Sequence, residues 1–116
     1  MPASAGVRLR GVDRDSLAAL FEEAIARASA GEHDAVVTWT AADGHWVQIS
    51  WHVINLAYPH RRSPDAVLAG VTRPEYVELR EWAADSHVTF DHGAHDPAAL
   101  ADFVLACGER LWRPAA

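Results

Sequence analysis

DAVVTWTAADGHWVQISWHV, residues 34–53, is the stretch whose reading decides the fold. Two runs rich in β-branched and aromatic residues flank Asp43-Gly44, a pair that signals a tight hairpin turn. In the second run Val47, Ile49, Trp51 and Val53 alternate with Trp46, Gln48, Ser50 and His52. A period of two puts the first set on an apolar sheet face and the second on a mixed one. On this reading Trp46 and Trp51 point to opposite faces.

The flanking segments supply what would cover the apolar face. Upstream, Leu17, Leu20, Phe21, Ala24, Ile25 and Ala28 recur at a spacing of three and four behind a capping Asp13 or Asp15, which predicts a helix stopped by Gly31. Residues 1–12 show no period and are expected to form a flexible N-terminal segment. Downstream, Asn55–Tyr58 predicts a third strand after a turn or bulge near Asn55. Pro59–Pro64 is a loop by its turn residues, and Ser63 caps a short helix from Pro64 to near Gly70. Thr72-Arg73-Pro74-Glu75 has the form of a capping box, which favours a helix to about Ala84. Tyr76–Trp82 also alternates, so residues 73–84 stand open between helix and strand. His87–Asp91 predicts a short strand and His92–His95 a turn. Asp96 caps, Pro97 fits the first helical position, and Leu100, Phe103, Val104, Cys107 and Leu111 form the stripe of a last helix whose end Trp112 anchors. The expected architecture is α+β, a single domain over residues 13–113 in the order α-β-β-β-α-β-α, with an antiparallel sheet of three to five strands and the N- and C-terminal helices packed on one face.

Composition narrows the function classes. At 116 residues the chain is one domain long, with a formal charge of −6 and all ten positive charges on arginine. An acidic chain without a basic stripe is a poor nucleic-acid binder. No apolar run approaches a membrane span, and Met1–Gly6 lack the apolar segment of a signal peptide. Cys107 is alone, which excludes an internal disulfide. A cytoplasmic protein with no membrane and no nucleic-acid partner is the expectation.

No stretch carries a catalytic signature. His92-x-x-His95-Asp96 is the densest group of candidate metal ligands, with His87 near. It lacks the helical HExxH spacing, and a polar turn is the plainer reading. His45 and His52 lie on the hairpin, where a pocket with a general base is conceivable, but a solvent-facing sheet explains them as well. There is no GxSxG, Walker A or GxGxxG motif, and Cys107 sits on the apolar stripe of a helix, where a thiol is a small hydrophobe. No catalytic residue and no cofactor is expected. Arg61 and Arg62, beside His60 and near Arg73, make a local basic patch. Five tryptophans are too many for one small core, and Trp46 on the second face points to association. The candidate partner-binding residues are Trp46, Gln48, His52, Arg61 and Arg62.

In the order of these elements the chain resembles the actinobacterial type III secretion chaperone-like domains, the TY-Chap and YbjN-like group. The resemblance rests on the opening helix LAALFEEAIARA (17–28), the VQIS-type strand of Trp46–Trp51, INLAYP (54–59) and the closing DPAALADFVLACGERLW (96–112), and covers most of residues 13–113. It implies an α/β sandwich, protein binding, frequent dimerisation and no conserved catalytic residues. The expectation is therefore a non-catalytic chaperone-like or adaptor module with a protein partner, a homodimer included. Two alternatives stay open: an immunity-type inhibitor of a basic toxin, and a small enzyme or ligand binder using turn 92–95, as a metal site, or the hairpin face.

Overall fold

The computed structural model of the chain describes residues 14–40, 44–93 and 96–112. The expected flexible segment 1–12, the hairpin tip at Asp43 and the side chain of His95 lie outside them. Helix α1 (Arg14–Ser29) buries Leu17, Phe21, Ala24 and Ala28, the face that its spacing predicts, and ends two residues before Gly31. Strands β1 (Val37–Thr40) and β2 (Trp46–Ile49) form the expected hairpin, with Val37 opposite Ile49 and Thr40 opposite Trp46. Gly44 enters β2 at φ +92°, a conformation glycine adopts without steric penalty.

The alternation that the sequence predicts through Trp51 and Val53 does not continue beyond β2. The chain turns at Ser50–Val53 and returns as β3 (Val53–Tyr58), pairing Ile49 with Ile54 and Val47 with Leu56. The Ser50 N–H donates to the Val53 carbonyl at 2.9 Å, and the Val53 N–H donates to Ser50 Oγ at 3.1 Å. The serine side chain thus closes a turn that carries no glycine or asparagine. Trp51 and His52 sit at its tip, their rings 4.4 Å apart and tilted 32°, and Trp51 is not in the core.

Helix α2 (Pro64–Val67) is one turn long and begins at Ser63-Pro64 as expected, but the Ser63 side chain makes no capping hydrogen bond and the helix stops short of Gly70. Gly70 takes φ +90°, and the Arg110 guanidinium lies 2.7 Å from where a Cβ would stand. Gly70→Ala is expected to cost about 1–2 kcal/mol, chiefly through the left-handed backbone, because a long arginine can step aside. The urea midpoint measures it.

The helix favoured over 72–84 is not formed. The Val77 N–H donates to the Pro74 carbonyl at 3.0 Å in a turn, and strand β4 (Glu78–Ala83) follows. It pairs antiparallel with β5 (Ser86–Asp91), setting Leu79 opposite Phe90 and Trp82 opposite Val88. The register shifts between Leu79 and Glu81. That bulge returns Trp82 to the face of Leu79, although three positions separate them. The same three-residue spacing is what imitates a helix in the sequence. Strand pairing to β5 outweighs one local cap.

The sheet runs β1-β2-β3-β5-β4, antiparallel throughout. Helix α3 (Pro97–Leu111) is capped by Asp96, whose carboxylate accepts from the Ala98 N–H at 3.0 Å. Besides the expected stripe it buries Ala101, Leu105 and Gly108, since it is flanked by α1 as well as by the sheet. At its end the Trp112 indole N–H donates to the Ala57 carbonyl at 2.9 Å, and the Leu111 carbonyl lies 2.8 Å from His60 Nε2, which as an N–H donates to it. Both bonds tie α3 to the far end of β3. One core cluster joins α1, α3 and the inner residues of all five strands or their partly buried neighbours. The α+β class and the placing of both long helices on one face hold as expected, with one strand more than the expected order. Among the described residues no helix is long and apolar enough to cross a membrane.

Candidate protein-binding face

Residues opposite one another in an antiparallel ladder share a face. The rows Val47–Leu56–Val88 and Ile49–Ile54–Phe90 lie under the helices, each residue no more than 2% exposed. The alternate residues therefore line the other side. One row there is Thr38–Gln48–Asn55–Thr89–Glu81, crossing all five strands. On one flank of it stand Thr40 and Trp46 followed by Ala57, His87 and Ala83, and on the other Asp91 and Glu78.

The central row is held by side-chain hydrogen bonds. Thr89 Oγ1–H donates to Asn55 Oδ1 at 2.8 Å, and Asn55 Nδ2–H donates to Gln48 Oε1 at 3.1 Å. These bonds fix the rotamers of three polar side chains on three adjacent strands. On the β5–β4 side, His87 Nε2 lies 3.1 Å from Glu81 Oε2 and Ser86 Oγ lies 3.0 Å from His87 Nδ1. One tautomer satisfies both: Nε2–H donates to the carboxylate and the serine hydroxyl donates to Nδ1. Arg80, at the bulge, pairs with Asp91 at 3.3 Å. Trp46 is half-buried at the end of β2 away from the Ser50–Val53 turn.

Of the residues singled out in the sequence, the fold brings Trp46 and Gln48 together on this face. His52 does not join them; it sits at the turn at the other end of β2, against Trp51. Arg61 and Arg62 follow β3 at the rim. Arg61 pairs with Asp85 in the β4–β5 turn at 2.9 Å, and Arg62 lends its carbonyl to the Tyr58 hydroxyl. Burial raises the Tyr58 hydroxyl above the ordinary tyrosine value, against a smaller opposing effect of Arg62. His92 is no exposed turn ligand. It is fully buried, its N–H donates to the His52 carbonyl at 2.8 Å, and its Nε2–H donates to the Ser50 carbonyl at 3.0 Å. Its ring meets Phe21 edge-on at 5.5 Å. Among the described residues no three His, Cys, Asp or Glu side chains gather as a metal site would require. Cys107 is buried in α3, where desolvation pushes its thiol up to about 12, with Arg73 opposing the shift.

Sequence reasoning missed Asn55, His87 and Thr89. Their alternation is visible within each strand, but the β3–β5 pairing that aligns them joins residues 34 positions apart. No family model, curated protein or solved structure matches the chain.

Proposed function

We propose that this chain is a non-catalytic protein-binding module, chaperone-like or adaptor in kind, that holds a partner on the open sheet face around Trp46. The observation that carries the reading is the asymmetry of the sheet. Among the described residues two helices cover one face, while the other presents a half-buried tryptophan beside a pre-ordered row of amide and hydroxyl groups. Tryptophan is the residue type that most often dominates a binding energy, and side chains already fixed in place lose little entropy on docking. Glu78, Glu81 and Asp91 share the face and favour a partner with a basic surface, the chemistry an inhibitor of a basic toxin would also use. The reading favours binding over catalysis because His92 is engaged in the core and His52 stacks on Trp51 at a turn. The resemblance to secretion chaperone-like domains supports the same reading, and with it we place the chain in the cytoplasm, which the unpaired Cys107 fits. A second copy of the chain is one admissible partner, and light scattering on a sizing column tests for it.

Proteins retained by the immobilised chain but released by its Trp46→Ala variant are the partners to purify and titrate. Trp46→Ala is expected to weaken that binding about 30-fold or more, the scale of an interface hot spot, and to move the urea midpoint little. Trp82→Ala, at the β4 edge on the opposite face, should bind as the parent does. Equal affinity for parent and Trp46→Ala would remove the sheet face from consideration.

A further inference from the structure

The five-stranded sheet has two edges, and the sequence guards only one of them. At the guarded edge β4 carries Glu78, Arg80 and Glu81, and a bulge shifts its register. Charges and bulges are what keep an edge from pairing with a foreign strand. At the other edge β1 pairs with β2 on one side and, among the described residues, with no strand on its outer side. Residues 36–40, Val-Val-Thr-Trp-Thr, hold no charge and no proline, and the β1 register runs without a bulge. Val36, just ahead of β1, is 52% exposed. Thr38 and Thr40 are exposed on the open face, while Val37 and Trp39 lie on the helix side, packed with the core. The one guard on this edge is its length of four residues.

We propose that β1 is a self-pairing edge, along which a second copy of this chain joins antiparallel about a two-fold axis through Thr38. The two sheets become one, with the helices of both copies on the same side. The occupant follows from the strand's own sequence. A two-fold axis perpendicular to the sheet sets Thr38 opposite its own copy, Val37 opposite Trp39 and Val36 opposite Thr40. Each of these pairs keeps its side chains on one face, as the period of two requires. Val37 meets Trp39 on the helix side, a β-branched residue against an aromatic one. Thr38 meets Thr38 on the open side, hydroxyl against hydroxyl. Both are cross-strand pairs that stabilise a sheet. No charge in residues 36–40 faces a like charge, so the net charge of −6 opposes the pairing only from a distance, where salt screens it. Five residues a side fall well short of the roughly 20–30 of a standard interface, so the association is weak, with a dissociation constant of about 0.01–1 mM. Trp46 lies one strand in from this edge and takes no part in the pairing, so the inference does not rest on the partner-binding face.

Sedimentation equilibrium of the full chain, loaded from about 10 µM to about 1 mM to span that range, tests the association. The mass is expected to rise from one chain towards two and no further. Thr38→Lys sets two ammonium groups opposite each other at the axis and should weaken the association about fivefold or more. Val36→Lys, just outside the strand, serves in its place if the first variant does not fold. Trp46→Ala should associate as the parent does. Mild oxidation with dissolved oxygen then places the contact. Thr38→Cys stands opposite its own copy, with Cα atoms about 4.5–5.5 Å apart, within disulfide reach, and should give a covalent dimer. Thr40→Cys, on the same edge, lies four residues along the strand from its own copy, about 13 Å, and should couple about tenfold more slowly or worse. Cys107 is buried in both variants. A mass of one chain at every concentration, a mass beyond two, parent-like association of the lysine variant, loss of association in Trp46→Ala, or equal coupling of the two cysteine variants would each overturn the proposal.

Discussion

Cys107 is expected to react with a thiol reagent about 1,000-fold more slowly in the native chain than in the unfolded one at about pH 8, where accessibility is set aside and only thiolate is counted. The arithmetic is that burial moves the thiol from an ordinary 9.0 to about 12, so three decades of thiolate are lost below the ordinary value. The cause is α3's position between α1 and the sheet, which leaves Cys107 with no exposed surface. The same shift ties stability to pH. Above the ordinary value of 9.0 the unfolded chain releases the thiol proton while the folded chain keeps it until about 12. The unfolded state then binds fewer protons, so stability falls as pH rises through that window and is untouched by this group below it. The raised Tyr58 hydroxyl acts with the same sign. Two measurements check this: the labelling rate under native and denaturing conditions, and urea midpoints across the alkaline range for the parent and Cys107→Ala. The variant should be less stable near neutrality, for a shortened core side chain, and should lose part of the alkaline slope. Rapid native labelling, or an alkaline slope unchanged in Cys107→Ala, would mean that α3 is not packed as described.

How much of this was legible in the sequence depended on whether a local rule and the tertiary partner agreed. They agree in α1 and α3, where spacing, caps and burial coincide: Asp96 bonds the Ala98 N–H, and Leu17, Phe21 and Ala24 are all in the core. They agree in the first hairpin, where Trp46 and Gln48 face away from Val47 and Ile49 as alternation requires. They part at Ser50, where a side-chain acceptor closes a turn inside an unbroken run of alternating residues. They part again at β4, where a bulge gives a strand the three-residue spacing of a helix and a capping box opens a turn instead. The binding face was half legible for the same reason. Each strand's outward residues can be counted off, but which strand lies beside which is decided by the return of β5 between β3 and β4. Gln48, Asn55 and Thr89 therefore become one hydrogen-bonded row only once the sheet is assembled.

His92 shows the largest distance between composition and role, and replacing it is expected to have the largest effect on stability. In the sequence it belongs to a polar turn with His95 and Asp96. In the fold it is completely buried, with its ring edge against Phe21 of α1 and its Nε2–H on the Ser50 carbonyl. Phe21 belongs to the core face of α1 and Ser50 to the turn joining β2 to β3, so one imidazole joins three elements. His92→Ala removes an aromatic-sized side chain from the core, at about 3–5 kcal/mol for a site that collapses poorly. It also leaves the Ser50 carbonyl without that donor, at about 1–3 kcal/mol if water does not replace it. Against a typical total of about 5–15 kcal/mol, the variant should be largely unfolded or melt at much lower temperature. His92→Phe separates the two terms: it keeps the volume and the contact with Phe21 and loses the hydrogen bonding of the ring, so it should cost about 1–3 kcal/mol and remain folded. His52→Ala, at the half-exposed tip of the same turn, should cost less than either, since its ring fills no core space. Urea midpoints should therefore rise in the order His92→Ala, His92→Phe, His52→Ala. A His92→Ala variant as stable as the parent would contradict the packing of Phe21 on His92. It would also return the turn at 92–95 to the list of surfaces free to bind, because a histidine that holds nothing together is one available for chemistry.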